Sequence, residues 1–380
     1  AVAESTEMAA AHEDLMNTLA AEGYLDRELE GLPSTDELAE RVARGQGLTN
    51  PELATLLAWT KISIQDAVFE TDLPDDPYLG ERLGSYFPPL LRERFEQRYG
   101  DHQLAREIIT TVAVNRFVDS QGITAAHRLR AESGKSVDDV IRAQLAARNL
   151  FDAGWLEVTT GRSELPEQIK TTLRSGVQRL IERATRWLLH EWRGPIDIEQ
   201  IAADYKEPVR QVLRELPELL TPQAAQKWRD DRDILIGYQV PAELADRMAG
   251  WPLAHLALPI TRLAKTSGRD LHDVARAFFS ASELSGVWQV FDYSGGLDQS
   301  SRWAIIARSG VRDQLQGFAE QLTERVLDSS PGSIDHQGVE QWWEQLPSAQ
   351  RVRGAVSQTM EGPVDLARVT VALRLLRGLL

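Results

Sequence analysis

The sequence contains no cysteine, and that single absence removes structural disulfides, thiolate zinc sites, iron–sulfur ligation and cysteine nucleophiles together. It fits a reducing compartment, so we expect a cytoplasmic protein. Positive charge is also short, because 42 lysines and arginines face 57 aspartates and glutamates, a formal net charge of -15. That balance opposes nucleic-acid phosphates and anionic lipid alike, so neither nucleic acid nor membrane is expected as a partner. Long apolar runs are missing too. The best of them, "WPLAHLALPITRLA" at 251–264, carries two prolines and a histidine and is too short to cross a bilayer. The amino end lacks the basic flank and apolar run of a secretory signal. It also begins without Met, from which we expect a segment of something longer.

Absent motifs narrow the chemistry further. There is no G-x-G-x-x-G after a strand, no P-loop and no G-x-S-x-G elbow. The seven histidines are scattered, and the nearest metal-like spacing, "HEW" at 190–192, has no second histidine one turn on. We therefore expect no cofactor and no metal in this segment.

What remains is an ordinary globular composition, 42% hydrophobic and 26% charged over 380 residues, long enough for two or three packed units. Helical periodicity dominates and strand-like alternation is scarce, which predicts an all-α chain of multi-helix bundles. The stretch "GLTNPELATLLAWTKI" (47–62) is the clearest case. Thr49 and Glu52 form a capping box, Leu48 and Leu53 a hydrophobic staple, and Pro51 occupies the first turn. Leu53, Leu56, Leu57, Thr60 and Ile64 should form one buried stripe, with Trp59 and Ile62 as a second apolar edge. Prolines at 74, 77, 88 and 89 predict turns and short helices over 71–91. Beyond them we expect a helical pair over 90–119, broken at Gly100, with Leu104, Ile108, Val112 and Asn115 on one face. At the carboxyl end, Leu366, Val369, Leu373, Leu376 and Leu380 mark a closing helix.

An internal repeat accounts for much of the rest. "RLRAESGKSVDDVIRAQLAARNL" (128–150) aligns without gaps on "RLAKTSGRDLHDVARAFFSASEL" (262–284), with ten identical positions. "RSGV" recurs at 174–177 and 308–311, and "GPID" at 194–197 is echoed by "GSID" at 332–335. Ser136 and Asp270 suit N-caps, and Gly134 and Gly268 mark the preceding turns. We read 128–217 and 262–347 as duplicated units. The expected divisions are an amino-terminal subdomain over 1–120, repeat units over 121–257 and 258–350, and a closing helix over 351–380.

Few side chains suggest chemistry. Lys61, flanked by apolar residues, could be a desolvated base or Schiff-base amine. Its face also holds Ala54, Ala58 and Gln65, so a packed stem with the ammonium in water or on a carboxylate is the reading we prefer. "RDDRD" (229–233) and "DLPDDP" (72–77) could seat a cation but read better as a charge ladder and as turn chemistry. Arg179, Arg183, Arg186 and His190 share a helix face beside Trp187 and Trp192, a combination able to hold phosphate. In so acidic a chain we expect that face to meet carboxylates instead, with Val177, Leu180, Ile181, Ala184 and Leu188 in the core.

Longer motifs carry a family resemblance. "HEDLMNTLAAEGYLDRELEGLP" (12–33), the 47–62 stretch, "LPDDPYL" (73–79), "YFPPLLRERF" (86–95), "HQLAREIITTVAVNRFVDSQGITAAHRL" (102–129), "LIERATRWLL" (180–189) and "VTVALRLLRGLL" (369–380) occur in the order of one family. Together they resemble the carboxyl-terminal region of the very large bacterial NAD-dependent glutamate dehydrogenases. The resemblance implies a parent enzyme that converts L-glutamate, NAD and water to 2-oxoglutarate, ammonia and NADH in a catalytic domain upstream. It implies no catalytic, cofactor-binding or metal residue here, since the catalytic lysine and the dinucleotide site have no matching positions. The expected partner is the catalytic domain of the same polypeptide, in a homo-oligomer. The alternative is a freestanding helical interaction module.

Overall fold

The computed structural model describes residues 6–80, 83–162, 164–298, 301–330 and 332–380. Among them are twenty α-helices and no strand, so the chain is all-α. None of these helices is long and apolar enough to cross a membrane. Contacts divide the described residues into two units, one within 1–147, 184–202 and 299–302, the other within 148–183, 203–298 and 303–380.

The first unit opens with α1 (Ala9–Ala21), α2 (Thr35–Ala43) and α3 (Asn50–Phe69). Helix α3 starts as the sequence requires. The backbone N–H of Thr49 donates to Glu52 Oε2 at 2.6 Å, and the Glu52 N–H donates to Thr49 Oγ1 at 3.5 Å, so each residue satisfies an orphan donor of the other. Leu48 is buried and Leu53 packs against the same core, in which Leu15, Met16, Leu19, Leu25, Leu32, Leu38 and Leu56 meet. The buried stripe of α3 is Leu56, Thr60, Ile64 and Val68. Trp59 flanks the core, but Ile62 is 39% exposed, so the second apolar edge is half open.

The proline-rich stretch forms a 3-10 turn (Leu73–Asp75), α4 (Pro77–Gly80), a second 3-10 turn (Leu83–Tyr86) and α5 (Pro89–Phe95). A 3-10 segment (Glu96–Asp101) leads into α6 (Ala105–Gln121), which packs on α3. Here one expected face is wrong. Leu104 is 53% exposed, Ile108, Val112 and Asn115 are only half-buried, and α6 buries Ile109, Ala113, Val114, Phe117 and Val118. With apolar or small residues around most of its circumference, α6 gives periodicity two nearly equal solutions, and packing on α3 selects the one bearing Phe117.

Helices α7 (Ala125–Ser133) and α8 (Val137–Leu150) follow, then α9 (Ala153–Arg162), α10 (Glu167–Glu191) and α11 (Ile198–Leu219). The second unit adds α12 (Pro222–Gly237), α13 (Ala242–Ala254), α14 (Ala257–Ser267), α15 (Leu271–Ser285), α16 (Val287–Ser294), α17 (Arg302–Ser329), α18 (His336–Gln345), α19 (Ala349–Met360) and α20 (Leu366–Arg377). Within it α12 pairs with α13, α15 packs on α14 and α18, and α20 closes over α16 and α19. Val369, Leu373 and Leu376 of α20 are buried, whereas Leu366 and Leu380 lie outside that face.

The two similar sequences adopt the same local plan. Helices α7 and α14 each end at a left-handed glycine, Gly134 at φ 69° and Gly268 at φ 67°, a conformation that strains a residue with a Cβ. Ser133 Oγ donates to Leu129 O at 2.6 Å, and Ser267 Oγ to Leu263 O at 2.6 Å. Asp139 N–H donates to Ser136 Oγ and Asp273 N–H to Asp270 Oδ1, both at 3.4 Å. Further on, Asp197 caps α11 through Gln200 N–H at 2.9 Å and Asp335 caps α18 through Gly338 N–H at 2.7 Å. The correspondence stops at "RSGV". A Cβ on Gly176 would lie 2.5 Å from the Trp251 ring, while one on Gly310 would meet nothing within 4 Å.

Candidate functional site

Lys61 leaves α3 with its stem largely covered and its Nζ 2.8 Å from Asp119 Oδ1 on α6. The Lys61 side chain is 22% exposed and that of Asp119 64%. A desolvated amine would need a dry pocket. Lys61 is instead a charged group bridging two packed helices at the water's edge.

The acidic stretch 72–77 is saturated by arginines. Arg142 of α8 lies between Asp72, at 2.9 Å, and Asp76. Arg106 of α6 pairs with Asp75 through one nitrogen and donates through the other to the carbonyls of Phe69, at 2.7 Å, and Thr71, at 2.6 Å. The guanidinium also lies over the Phe69 ring, 5.2 Å from its centre. Two helices thereby clamp the proline turns that follow α3. In "RDDRD", Arg232 pairs with Asp246 and with Asp233 at 3.3 Å, and Gln226 takes up both Arg229, at 3.0 Å, and Asp230, at 2.8 Å. That is a surface ladder. Among the described residues no group of three or more histidines and carboxylates is placed to hold a metal.

The basic–aromatic face of α10 divides. Arg186 meets Glu132 at 3.2 Å in the first unit, as expected of a face that pairs with carboxylates. Trp187 is buried, and Trp192 Nε1 donates to the Pro195 carbonyl at 3.0 Å. The core positions Val177, Leu180, Ile181, Ala184 and Leu188 are all buried.

Arg183 behaves differently. In the second unit its Nη1 donates to the Pro252 carbonyl at 3.2 Å, and its Cζ stands 5.8 Å from the centre of the Phe291 ring. Arg312 of α17 is stacked on the same ring at 5.3 Å. Burial, and then repulsion from Arg179, push the Arg183 guanidinium below its ordinary pKa; burial does the same to Arg308. Arg308 donates to the Gly295 carbonyl at 2.9 Å. His255, at the end of α13, is held well below the usual histidine range by burial and then by Arg183 and Arg312. It is therefore neutral, and its Nδ1 is buried without a hydrogen-bond partner. Of this group, periodicity found Arg179 and Arg183 but missed His255, Phe291, Arg308 and Arg312. The available signal was the second pair of arginines four apart, at 308 and 312.

A second concentration of charge in the same unit lines an open cleft of about 710 Å³ between α11 and α15, with Glu215, Glu218, Asp270, His272, Asp273, Arg276 and Ser333 on its walls. His272 faces Glu215 through Nε2 and Asp270 through Nδ1, at 3.2 Å, and its hydrogen bond with Glu215 raises its pKa. Two further carboxylates of the cleft, Asp270 and Asp273, are engaged. Asp270 caps α15, and Asp273 accepts from Ile334 N–H at 3.0 Å and from Ser333 Oγ at 3.2 Å. Within the cleft His272 links Glu215 of α11 to Asp270, the N-cap of α15, and so joins the two helices.

Comparison with known proteins gives these arrangements a context. Residues 45–378 match the family described as glutamate dehydrogenase, C-terminal. The chain is 33% identical over 379 residues to the NAD-specific glutamate dehydrogenase of Pseudomonas aeruginosa, covering 98% of this chain and 23% of that protein. It is 34% identical over 377 residues to the enzyme of the same name from Mycobacterium tuberculosis, covering 94% and 22%, and 29% identical over 345 residues to that of Halomonas elongata, covering 87% and 21%. The chain thus spans a little over a fifth of the length of these relatives. It belongs to the glutamate dehydrogenase C-terminal family.

Proposed function

We propose that this member of the family is the helical carboxyl-terminal part of an NAD-specific glutamate dehydrogenase, and that it braces and helps assemble the catalytic part of the same polypeptide without supplying a catalytic residue. The parent reaction is the oxidative deamination of L-glutamate to 2-oxoglutarate and ammonia, with NAD reduced to NADH. A cytoplasmic, homo-oligomeric enzyme belongs to the same reading. The observation that carries it is coverage: nearly the whole chain aligns with glutamate dehydrogenases of which it makes up about a fifth. The geometry adds support, because Lys61, the 72–77 carboxylates and the 229–233 ladder are occupied in bridging helices. An assembly role also suits α5, which buries none of its residues and leaves Leu90 82% exposed beside exposed Leu91 and Phe95.

The matching turns and caps of α7–α8 and α14–α15 support descent from a duplicated unit, which we include in the proposal. Glutamate-dependent NADH formation, compared between this chain alone and the whole polypeptide, tests the functional reading. Activity is expected from the whole polypeptide only. Turnover by the folded chain alone would refute the non-catalytic role.

A further inference from the structure

In the first unit the stretch 83–102 folds back on itself. Arg92 Nε donates to the Gly84 carbonyl at 3.0 Å and Nη2 to that of Phe87 at 3.3 Å, while the Tyr99 hydroxyl donates to the Arg92 carbonyl. Phe87 stacks on Tyr99 with ring centres 5.3 Å apart and lies 5.6 Å from the His102 ring. Gly84 permits this approach, since a Cβ there would lie 2.8 Å from the Tyr99 ring. The 3-10 segments on either side of α5 both pack on α6, so the stretch is anchored. What it carries outward is apolar. Helix α5, seven residues long, buries none of them; Leu90, Leu91 and Phe95 are exposed on it, and Tyr86 and Leu104 are exposed before and after it in the chain. Arg94 lies over the Phe95 ring, 5.6 Å from its centre.

A helix this short does not hold itself in water, where about 12 residues or more are needed even by good helix formers. Single exposed leucines are ordinary, but a cluster of them on a braced element marks a contact surface, and an aromatic ring with a stacked arginine is the composition of an interface anchor. Bracing also removes the ordering cost that a loose loop would meet on docking. The size of the patch points to its occupant. A stable complex between separate proteins uses roughly 20–30 residues on each side, far more than α5 offers. A second copy would also bring the same net charge of -15 against it. A tethered partner needs much less area, because linkage holds it at an effective concentration on the order of millimolar. The chain covers only 23% and 22% of two relatives, and its family is described as C-terminal, which leaves most of the parent amino-terminal to it. We propose that α5 is a docking element, and that Leu90, Leu91 and Phe95 with Arg94 enter an apolar groove on the part of the same polypeptide amino-terminal to this chain. The proposal rests on the reading of this chain as the carboxyl-terminal part of a longer enzyme.

Photo-cross-linking in the whole polypeptide tests this, with Leu90→p-benzoylphenylalanine as the probe, a position 82% exposed in this chain. Peptide mapping should place the cross-link on a segment amino-terminal to this chain, and a mixture of isotopically light and heavy polypeptide should show both ends in one molecule. Hydrogen exchange is the second measurement. The amides of 90–95 should exchange about tenfold or more slowly in the whole polypeptide than in this chain alone, the change expected when one leucine side chain leaves water. Leu90→Asp should abolish that difference, yet leave the Tm of this chain alone unchanged, because it touches nothing buried. Glutamate-dependent NADH formation by the same polypeptide reports on the parent reading separately. A cross-link to the amino-terminal part in an inactive polypeptide would uphold the docking element and sink the enzyme assignment. Cross-links confined to residues 1–380 or to a second copy, or amides of 90–95 exchanging equally fast in both samples, would overturn the docking element whatever the activity.

Discussion

Replacing Lys61 with methionine separates a bridging role from a chemical one. Two unit charges near 4 Å attract by about 4 kcal/mol at a surface dielectric near 20. Most of that disappears in the balance here, because Asp119 is 64% exposed and regains water when its partner is lost. Exposed pairs of this kind contribute about 0.2–1 kcal/mol. Methionine keeps most of the covered stem, so packing against α6 should survive. Lys61→Met should therefore destabilise the chain by less than about 1 kcal/mol, and the Lys61→Met, Asp119→Asn cycle should return a coupling of about 0.2–1 kcal/mol that shrinks in high salt. Urea unfolding followed by far-ultraviolet circular dichroism measures this. The comparison is made on the transition of the first unit, since a chain with two units need not unfold in one step. In the parent polypeptide, glutamate turnover per folded molecule should be nearly unchanged. A loss above about 3 kcal/mol at unchanged m-value, or a collapse of turnover in a folded variant, would show that Lys61 does more than bridge α3 and α6.

Leu56 is fully buried among the leucines of the amino-terminal core, so Leu56→Ala should cost about 2–5 kcal/mol in the same urea experiment; a cost below about 1 kcal/mol would mean that this core is not formed in solution. Gly134→Ala and Gly268→Ala sit in matching left-handed turns with open space around the added methyl, so each should cost about 1 kcal/mol for backbone strain alone. Unequal values, one near zero, would show that the two turns are not equivalent. The folded-state pKa of His272 is raised above 6.5, chiefly by Glu215. Its contribution is therefore complete below pH 6.5 and is lost as pH rises through the higher folded-state value. Partial exposure keeps that contribution to roughly 1 kcal/mol or less. The stability difference between the parent chain and His272→Gln should shrink as pH rises from 6.5, and a difference that widened instead would reverse the assignment of His272 as the charged partner of Glu215 and Asp270.

The parts of the fold legible in the sequence were those fixed by local chemistry. The capping box at Thr49 and Glu52 satisfies its own donors whatever lies outside the helix, and Gly134 and Gly268 announce turns that other residues adopt only under strain. Faces chosen by a partner were less legible. Helix α6 carries Ala, Thr and Val where a surface helix would show charge, so its buried side was decided by α3, and the sequence pattern pointed to Leu104 and Ile108 instead. The same limit applies to Ile62, apolar by composition and half open in the fold.

Charge pairs show the limit most sharply, because spacing along a chain constrains only partners within a turn or two of each other. Asp72 and Asp76 are joined by an arginine some seventy positions on, and Lys61 by an aspartate 58 positions on. No periodicity could have supplied either partner. The α10 arginines make the argument from the other side. Neighbours on one helix, Arg183 and Arg186 differ by one turn, yet Arg186 found Glu132 while Arg183 found two carbonyl-bound or ring-stacked guanidiniums as neighbours. Residues three apart on one helix thus end in different surroundings, and only the elements packed against each side decide which.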